Sequence, residues 1–295
     1  MRILSPMDQG HDEKIRSWVG DLEFERIGPI KRVLKRAVLN PLVNYIPSGA
    51  MKAALRFGKS ELAQCNWNDP GGWKSMVISY HGKPKQIADK FLVNGGAMSM
   101  ALRNRRILAA RLLARLIEQA DGASDIPVHA LCLGAGPGRI IIDALLESPE
   151  SSHATLVDIS SDAFDYGREL AESCGLADRV KYVQGDVRDV KDVLNPPPVV
   201  VKMIGICEYL TDEQIVEIVK SLADVMAPGG SVVFNSISTA HGTDRFFRRV
   251  MGLHMIHRSP EELSDIFAQA GFGDFIPIRE PLGVYHVIVG SLAGS

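Results

Sequence analysis

The chain has 295 residues, 46% of them hydrophobic and 23% charged. That is globular composition, sized for about two domains or one with an appendage. It excludes a disordered chain, a disulfide-stapled mini-protein and a fibrous repeat. The net charge of −2 hides an asymmetry: residues 1–97 hold 15 Lys and Arg against 9 Asp and Glu, a balance of +6, and the remainder balances at −8. A near-neutral whole argues against a dedicated nucleic-acid binder. The basic part is expected to meet the acidic remainder or an anionic substrate. No apolar run approaches the roughly 20 residues that span a bilayer. Met1 to Asp8 leads into charged residues, so no secretory signal is read and a cytoplasmic location is expected. Cys65, Cys132, Cys174 and Cys207 show no C-x-x-C spacing and are expected to be reduced thiols.

In chain order, Ile30, Val33, Leu34, Ala37 and Val38 fall on one helical face, with Lys31, Arg32, Lys35 and Arg36 on the other. A membrane-surface helix reads this way, and so does a surface helix packed on a core; the second is expected. Pro41 and Pro47 are expected to end it. Asn68 to Gly72 is a turn and Asn94-Gly95-Gly96 a break. Met98 to Gln119 then reads as a long helix closed by Asp121-Gly122. Beyond it, strands alternate with helices, as in a parallel α/β sheet. Strands are expected at Val128–Leu133, Ala154–Val157, Val180–Gln184, Val199–Ile204 and Ser231–Ile237. A closing pair is expected at Phe275–Ile278 and Tyr285–Val289. Thr211-x-x-Gln214 and Ser259-x-x-Glu262 read as capping boxes, the second with Pro260 at the first helical position. No internal repeat or low-complexity segment is evident. The expected domains are an N-terminal helical lid, 1–97, and a core, 98–295.

The first strand ends in Gly134-Ala135-Gly136-Pro137-Gly138. Glycine there permits a tight turn and lets a ligand approach bare backbone. Asp158 follows Gly138 by 20 residues at the end of the second strand, where a carboxylate can accept both ribose hydroxyls. Asp186 ends the third strand, placed to accept from an exocyclic amine. The fourth ends at Gly205, an open edge beside the point where such sheets bind ligands. A lone aspartate at a strand end is more often a cap; the ordered set points to a nucleoside. The third glycine comes one position early for the dinucleotide pattern, with Arg139 in its place, which disfavours NAD.

With these motifs, residues 100–295 resemble the class I S-adenosylmethionine-dependent methyltransferases. Leu131 to Gly138 matches the glycine motif, Leu156-Val157-Asp158-Ile159-Ser160 the ribose-binding strand end and Gln184-Gly185-Asp186-Val187 the adenine-binding one. Met226 to Gly230 matches the turn before the fifth strand, and Gln269 to Phe272 the turn before the sixth. The resemblance implies a Rossmann-like α/β fold, a mostly parallel sheet closed by an antiparallel strand, with an N-terminal helical lid. It implies S-adenosylmethionine as cofactor, held by Gly134, Ala135, Gly136, Gly138, Asp158, Ile159, Asp186, Val187 and Gly205. It departs from the family at Cys132, two positions before the first glycine, where an acidic residue often helps to hold the cofactor's amino-acid end. Asn94, Arg103 and Arg139 are candidates for that task. A reactive thiol at Cys132 is another reading, and a plain buried cysteine is expected.

The acceptor side is less marked. Asn195-Pro196-Pro197-Pro198 precedes the fourth strand and lacks the aromatic of the amino-methyltransferase motif, so it reads as a loop. Tyr209 follows the fourth strand, able to face a sulfonium or a substrate, or simply to pack. Asn235 and Ser236 lie in the fifth-sequence strand, and at alternate positions only one can point inward. Tyr209, Asn235 and Ser236 are the candidate catalytic residues. His241, His254 and His257 are weaker candidates for a general base. No carboxylate cluster for a metal can be assembled, and none is expected. Tyr80, Phe91, Asn94 and Met98 are expected to line the lid; a dimerisation arm, and hence a homodimer, is the alternative role of the first 97 residues. Methyl transfer to a small molecule is expected, without nucleic acid or a membrane span. Two alternatives come from other members of the fold: transfer or cyclisation of the aminocarboxypropyl arm, giving azetidine-2-carboxylate and methylthioadenosine, and a silent cofactor-binding subunit.

Overall fold

The computed structural model describes residues 6–123, 126–188 and 196–294. Seven strands form one sheet in the order β3-β2-β1-β4-β5-β7-β6. They are β1 (His129–Leu133), β2 (His153–Asp158), β3 (Val180–Gln184), β4 (Val200–Met203), β5 (Ser231–Ile237), β6 (Phe272–Arg279) and β7 (Tyr285–Leu292). The first five pair in parallel. β7 inserts antiparallel between β5 and β6. The order reverses between β1 and β4, so a crevice opens outside the carboxyl ends of those strands, where doubly wound sheets bind ligands.

Both faces are covered, so β1 and β4 are buried along their whole length. β1 shows the alternation: Ala130 and Cys132 join the core against α8 (Ala97–Asp121) and α9 (Arg139–Leu146). Leu131 and Leu133 join the core against α11 (Asp212–Ala223) and α13 (Pro260–Ala268). The two capping boxes form as expected. Thr211 accepts from the Gln214 N–H and Ser259 from the Glu262 N–H, and each Gln or Glu returns the bond. Each box satisfies N–H groups that a helix start leaves without an intrahelical partner.

The N-terminal stretch is helical. α1 (Pro6–Ser17) sends Ile15 fully buried into the main core. α2 (Pro29–Leu34) runs through a π turn, Lys35–Leu39, into α3 (Asn40–Tyr45). Pro41 therefore does not end this element, contrary to the sequence reading. Its ring would collide with the carbonyl four residues back in a regular helix, and the wider π turn lies at that place. The helix instead stops at Ile46, which is extended at ψ 137 ahead of Pro47. The expected burial of its apolar face also fails: Ile30, Val33, Leu34, Ala37 and Val38 are all exposed. α4 (Ser48–Phe57), α5 (Glu61–Asn68), α6 (Trp73–His81) and α7 (Ile87–Asp89) follow, and α5 and α6 cover the crevice. Among the described residues no helix is long and apolar enough to cross a membrane.

Candidate active site

A cavity of about 470 Å³ lies over the carboxyl ends of β1, β2 and β4, under α5 and α6. Its floor is the glycine turn. Gly134, Gly136 and Gly138 have φ of 55, 53 and 83°, the left-handed region that strains any side chain. A Cβ at Gly134 would stand 2.1 Å from Ile206 Cγ2, and one at Gly138 2.2 Å from Leu156 Cδ2. Gly136 is different: a Cβ there meets only Trp73 Cβ, at 3.4 Å, so its bare backbone faces the cavity. Asp158 Oδ2 accepts from the Gly136 N–H at 2.7 Å, and Oδ1 accepts from the Ser160 N–H at 2.9 Å. Those bonds use part of a carboxylate's acceptor capacity and leave the rest for a diol.

Ala135, Ile159 and Val187 also line the cavity. Ile159 is 69% exposed, an apolar platform at its mouth. Asp186 lines it with both oxygens held by Arg188, whose Nε donates at 2.9 Å. That guanidinium lowers the Asp186 pKa to about 2. Gly205, at φ +87, marks the turn out of β4. The expected nucleoside set is therefore brought to one cleft.

The expected catalytic set is not. Tyr209 lines the cavity, and its hydroxyl abuts Gly71 in the turn between α5 and α6. Asn235 and Ser236 are buried in β5 and do not line it. β5 stands one strand farther from the reversal point, and Asn235 Oδ1 is occupied, accepting from the Gly205 N–H at 2.8 Å. Asn235 thus supports the β4 turn from behind. His241, His254 and His257 do not line the cavity either. Of the lid candidates, Tyr80 and Met98 reach the cavity, whereas Phe91 and Asn94 are exposed. Arg103 is held by Glu25 and the carbonyls of Ser79 and Val93. Arg139 lines the cavity beside Asp143. Burial pushes the Cys132 thiol up to about 12, so it is no thiolate at neutral pH. Of the proline loop, Asn195 lies outside the described residues.

A protein-family profile described as "Putative methyltransferase", Methyltransf_20, matches residues 82–292. The chain belongs to this family of methyltransferases. The protein named "Uncharacterized protein YnbC" from Escherichia coli (strain K12) is 24% identical over 229 residues, 72% of this chain and 39% of that one. The "Release factor glutamine methyltransferase" of Chlorobaculum tepidum is 29% identical over 141 residues, 44% of each chain. The chain thus spans about two-fifths of the length of these relatives. In fold it is similar to a "possible exported protein" from Bordetella parapertussis, with a TM-score of 0.69 at 15% identity over 99% of this chain and all of that one. It is also similar to the S-adenosylmethionine-dependent methyltransferase SibL, with a TM-score of 0.52 at 16% identity over 90% and 78%.

The chain also buries charges at the cavity that its sequence alone does not mark. Arg105, from α8, meets Glu208 at 3.3 Å, with side chains 3% and 4% exposed. The Arg105 guanidinium also reaches the Tyr80 hydroxyl at 3.3 Å and stacks 4.5 Å from the centre of the Tyr285 ring. Burial opposes its charge, but Tyr80, Tyr285 and Glu208 outweigh that and raise its pKa. Lys202, in β4 beside Cys132, donates to the Gly134 carbonyl at 3.3 Å. Burial pulls its pKa below the ordinary value. Glu208 Oε2 and Arg105 Nε are buried at the cavity without a hydrogen-bond partner. One signal was available: Arg105 occupies the face of α8 carrying Ala101, Leu108 and Leu112. A cation on an apolar stripe must find a buried partner or a ligand. Lys202 breaks the apolar run of β4 in the same way.

Proposed function

We propose that this protein transfers the methyl group of S-adenosylmethionine to a small molecule bound under α5 and α6. The observation that carries this is the single cleft in which the glycine turn, Asp158 and Asp186 meet buried charges and an apolar roof. The residues fit the cofactor. Gly136 offers an open backbone for close approach, Asp158 keeps acceptor capacity for a ribose, and Asp186 stands at the adenine end. The family's acidic residue is absent at Cys132, and the amino-acid end is assigned to other groups. Lys202 and Arg105 provide cationic donors for a carboxylate, and the unpartnered Glu208 Oε2 is an acceptor for an ammonium.

S-adenosylmethionine, when bound, supplies an already activated methyl group. What remains for the chain is alignment and exclusion of water. Leu62, Met76, Leu102, Phe247, Leu253 and Met255 give the cavity an apolar wall suited to a small, largely apolar acceptor. The hydroxyls of Tyr80 and Tyr209 are among the polar groups that line the cavity and can orient an acceptor. Asn235 acts as a positioning residue, through the Gly205 turn.

The test is incubation with S-adenosylmethionine and candidate acceptors, with products read by mass spectrometry. S-adenosylhomocysteine with a methylated acceptor is expected. Methylthioadenosine with a four-membered amino acid would replace this reading with cyclisation. No cofactor binding at tens of micromolar would leave a silent subunit.

A further inference from the structure

Outside the cleft, one cluster of side chains has no work in the methyl-transfer reading. His241 ends the 3-10 turn Thr239–His241 after β5, and Asp244 opens α12 (Asp244–Phe246). His257 lies in the extended stretch before α13. One ligand atom from each lies within 4.8 Å of the other two. His257 Nε2 stands 3.5 Å from Asp244 Oδ1, and the two imidazole rings are 6.5 Å apart, nearly parallel at 28°. His241 Nε2, Asp244 Oδ1 and His257 Nε2 are all buried without a hydrogen-bond partner. His257 Nε2 and Asp244 Oδ1 face each other only across 3.5 Å and His241 Nε2 has no partner, and buried ligand atoms left so are costly unless something joins them.

We propose that His241, Asp244 and His257 form a structural site for a divalent transition metal, zinc being the ion their donor set fits best. Two imidazole nitrogens and one carboxylate oxygen are a donor set that zinc takes, with water free to complete a tetrahedron. Bonds of about 2.0–2.1 Å separate tetrahedral ligand atoms by about 3.4 Å, so the His257–Asp244 pair is already at the needed spacing. The widest pair closes by at most about 1.4 Å, measured from the 4.8 Å limit.

The surroundings hold the ligands in place. Asp244 Oδ2 accepts from Arg248 Nε at 2.8 Å, which leaves Oδ1 for the metal. His241 Nδ1 accepts from the Thr243 backbone N–H at 3.2 Å and lies 2.9 Å from Thr243 Oγ1. Metal binding at Nε2 would move the ring proton to Nδ1, where the Thr243 hydroxyl can accept it. Next to His257, Arg258 donates to the carbonyls of Cys207 and Leu210, each at 2.8 Å. The Ile256 N–H donates to the Glu208 carbonyl. The ion would therefore tie the β5 exit, α12 and the stretch before α13 together. Phe247, Leu253 and Met255 of that region line the cleft, and His241 packs edge-on against Phe247. The site stands behind the cleft wall, so its role is to hold that wall and not to touch the reacting atoms.

The test uses the chain freed of metal by dialysis against a chelator. Zinc chloride is titrated in competition with a chromophoric chelator, and cobalt chloride is followed by its visible absorption. One zinc per chain is expected, with His257→Gln and Asp244→Asn each weakening it about 100-fold or more while far-ultraviolet circular dichroism stays unchanged. Cobalt should give a visible band without the intense near-ultraviolet absorption of thiolate coordination. Should the variants misfold, that wild-type cobalt spectrum still decides. No stoichiometric zinc in the folded wild type, full affinity in both folded variants, or a thiolate band placing the metal on cysteine would each overturn the site. All three readouts are independent of methyl transfer.

Discussion

Glu208→Gln should destabilise the protein by about 3 kcal/mol, because it strands a buried guanidinium. At 3.3 Å, two unit charges attract by about 5 kcal/mol at an effective dielectric constant of 20. Solvent screens this little, since the side chains are 3% and 4% exposed. Arg105 cannot escape by losing its proton. Two effects reduce the loss. Glutamine keeps a neutral acceptor worth about 1 kcal/mol, and Arg105 keeps the Tyr80 hydroxyl and the Tyr285 ring. Urea unfolding at neutral pH measures the outcome as a fall in midpoint at constant slope. The double variant Arg105→Met with Glu208→Gln removes the stranded charge and should recover at least half of the loss. A single-variant loss under about 1 kcal/mol, or a double variant worse than the sum of the singles, would refute the reasoning. A small single-variant loss would mean that the pair is hydrated.

Gly134→Ala should cost about 3 kcal/mol, from left-handed strain plus the collision with Ile206. Gly229→Ala, at φ +75 with open space around it, should cost only about 1 kcal/mol in the same unfolding assay. Lys202→Met should weaken S-adenosylmethionine binding about 10- to 100-fold in a calorimetric titration, the worth of one charge-assisted bond; unchanged affinity would remove Lys202 from the cofactor site. The Asp186 carboxyl carbon, followed by NMR, should titrate near 2 and return toward 3.8 in Arg188→Ala. Its folded pKa is the depressed one, so the small stability it confers is complete above pH 3.8 and is lost as pH falls through about 2. Asp162→Ala removes bonds to Lys74 and Trp73 across the cleft mouth. With Lys74 and Asp162 more than half exposed, it should change stability by less than about 1 kcal/mol.

How legible each part was in the sequence follows from the range of the forces that fix it. The strands, both capping boxes and the long helix α8 are set by local periodicity and local hydrogen bonds, and they stand where the sequence puts them to within a few residues. The glycine-turn end of the cleft is legible for a related reason: the glycine turn, Asp158 and Asp186 each stand at the end of their own strand, and the parallel sheet aligns those ends. The rest of the cleft depends on strand order. Asn235 ends up behind the cleft because β4 lies between its strand and β1, which no spacing within β5 reveals. The Arg105–Glu208 pair spans 103 positions of sequence. Each partner alone reads as one more surface charge until its helix or turn is seen to be apolar around it. The histidines make the same point in reverse. As separate loop residues they suggested weak candidates for a base. Folding removes all three from the cavity and brings two of them to one aspartate, an arrangement suited to a metal and unsuited to taking a proton from an acceptor. Sequence spacing located the chemistry that lies along strands, and folding was needed to find the chemistry made between them.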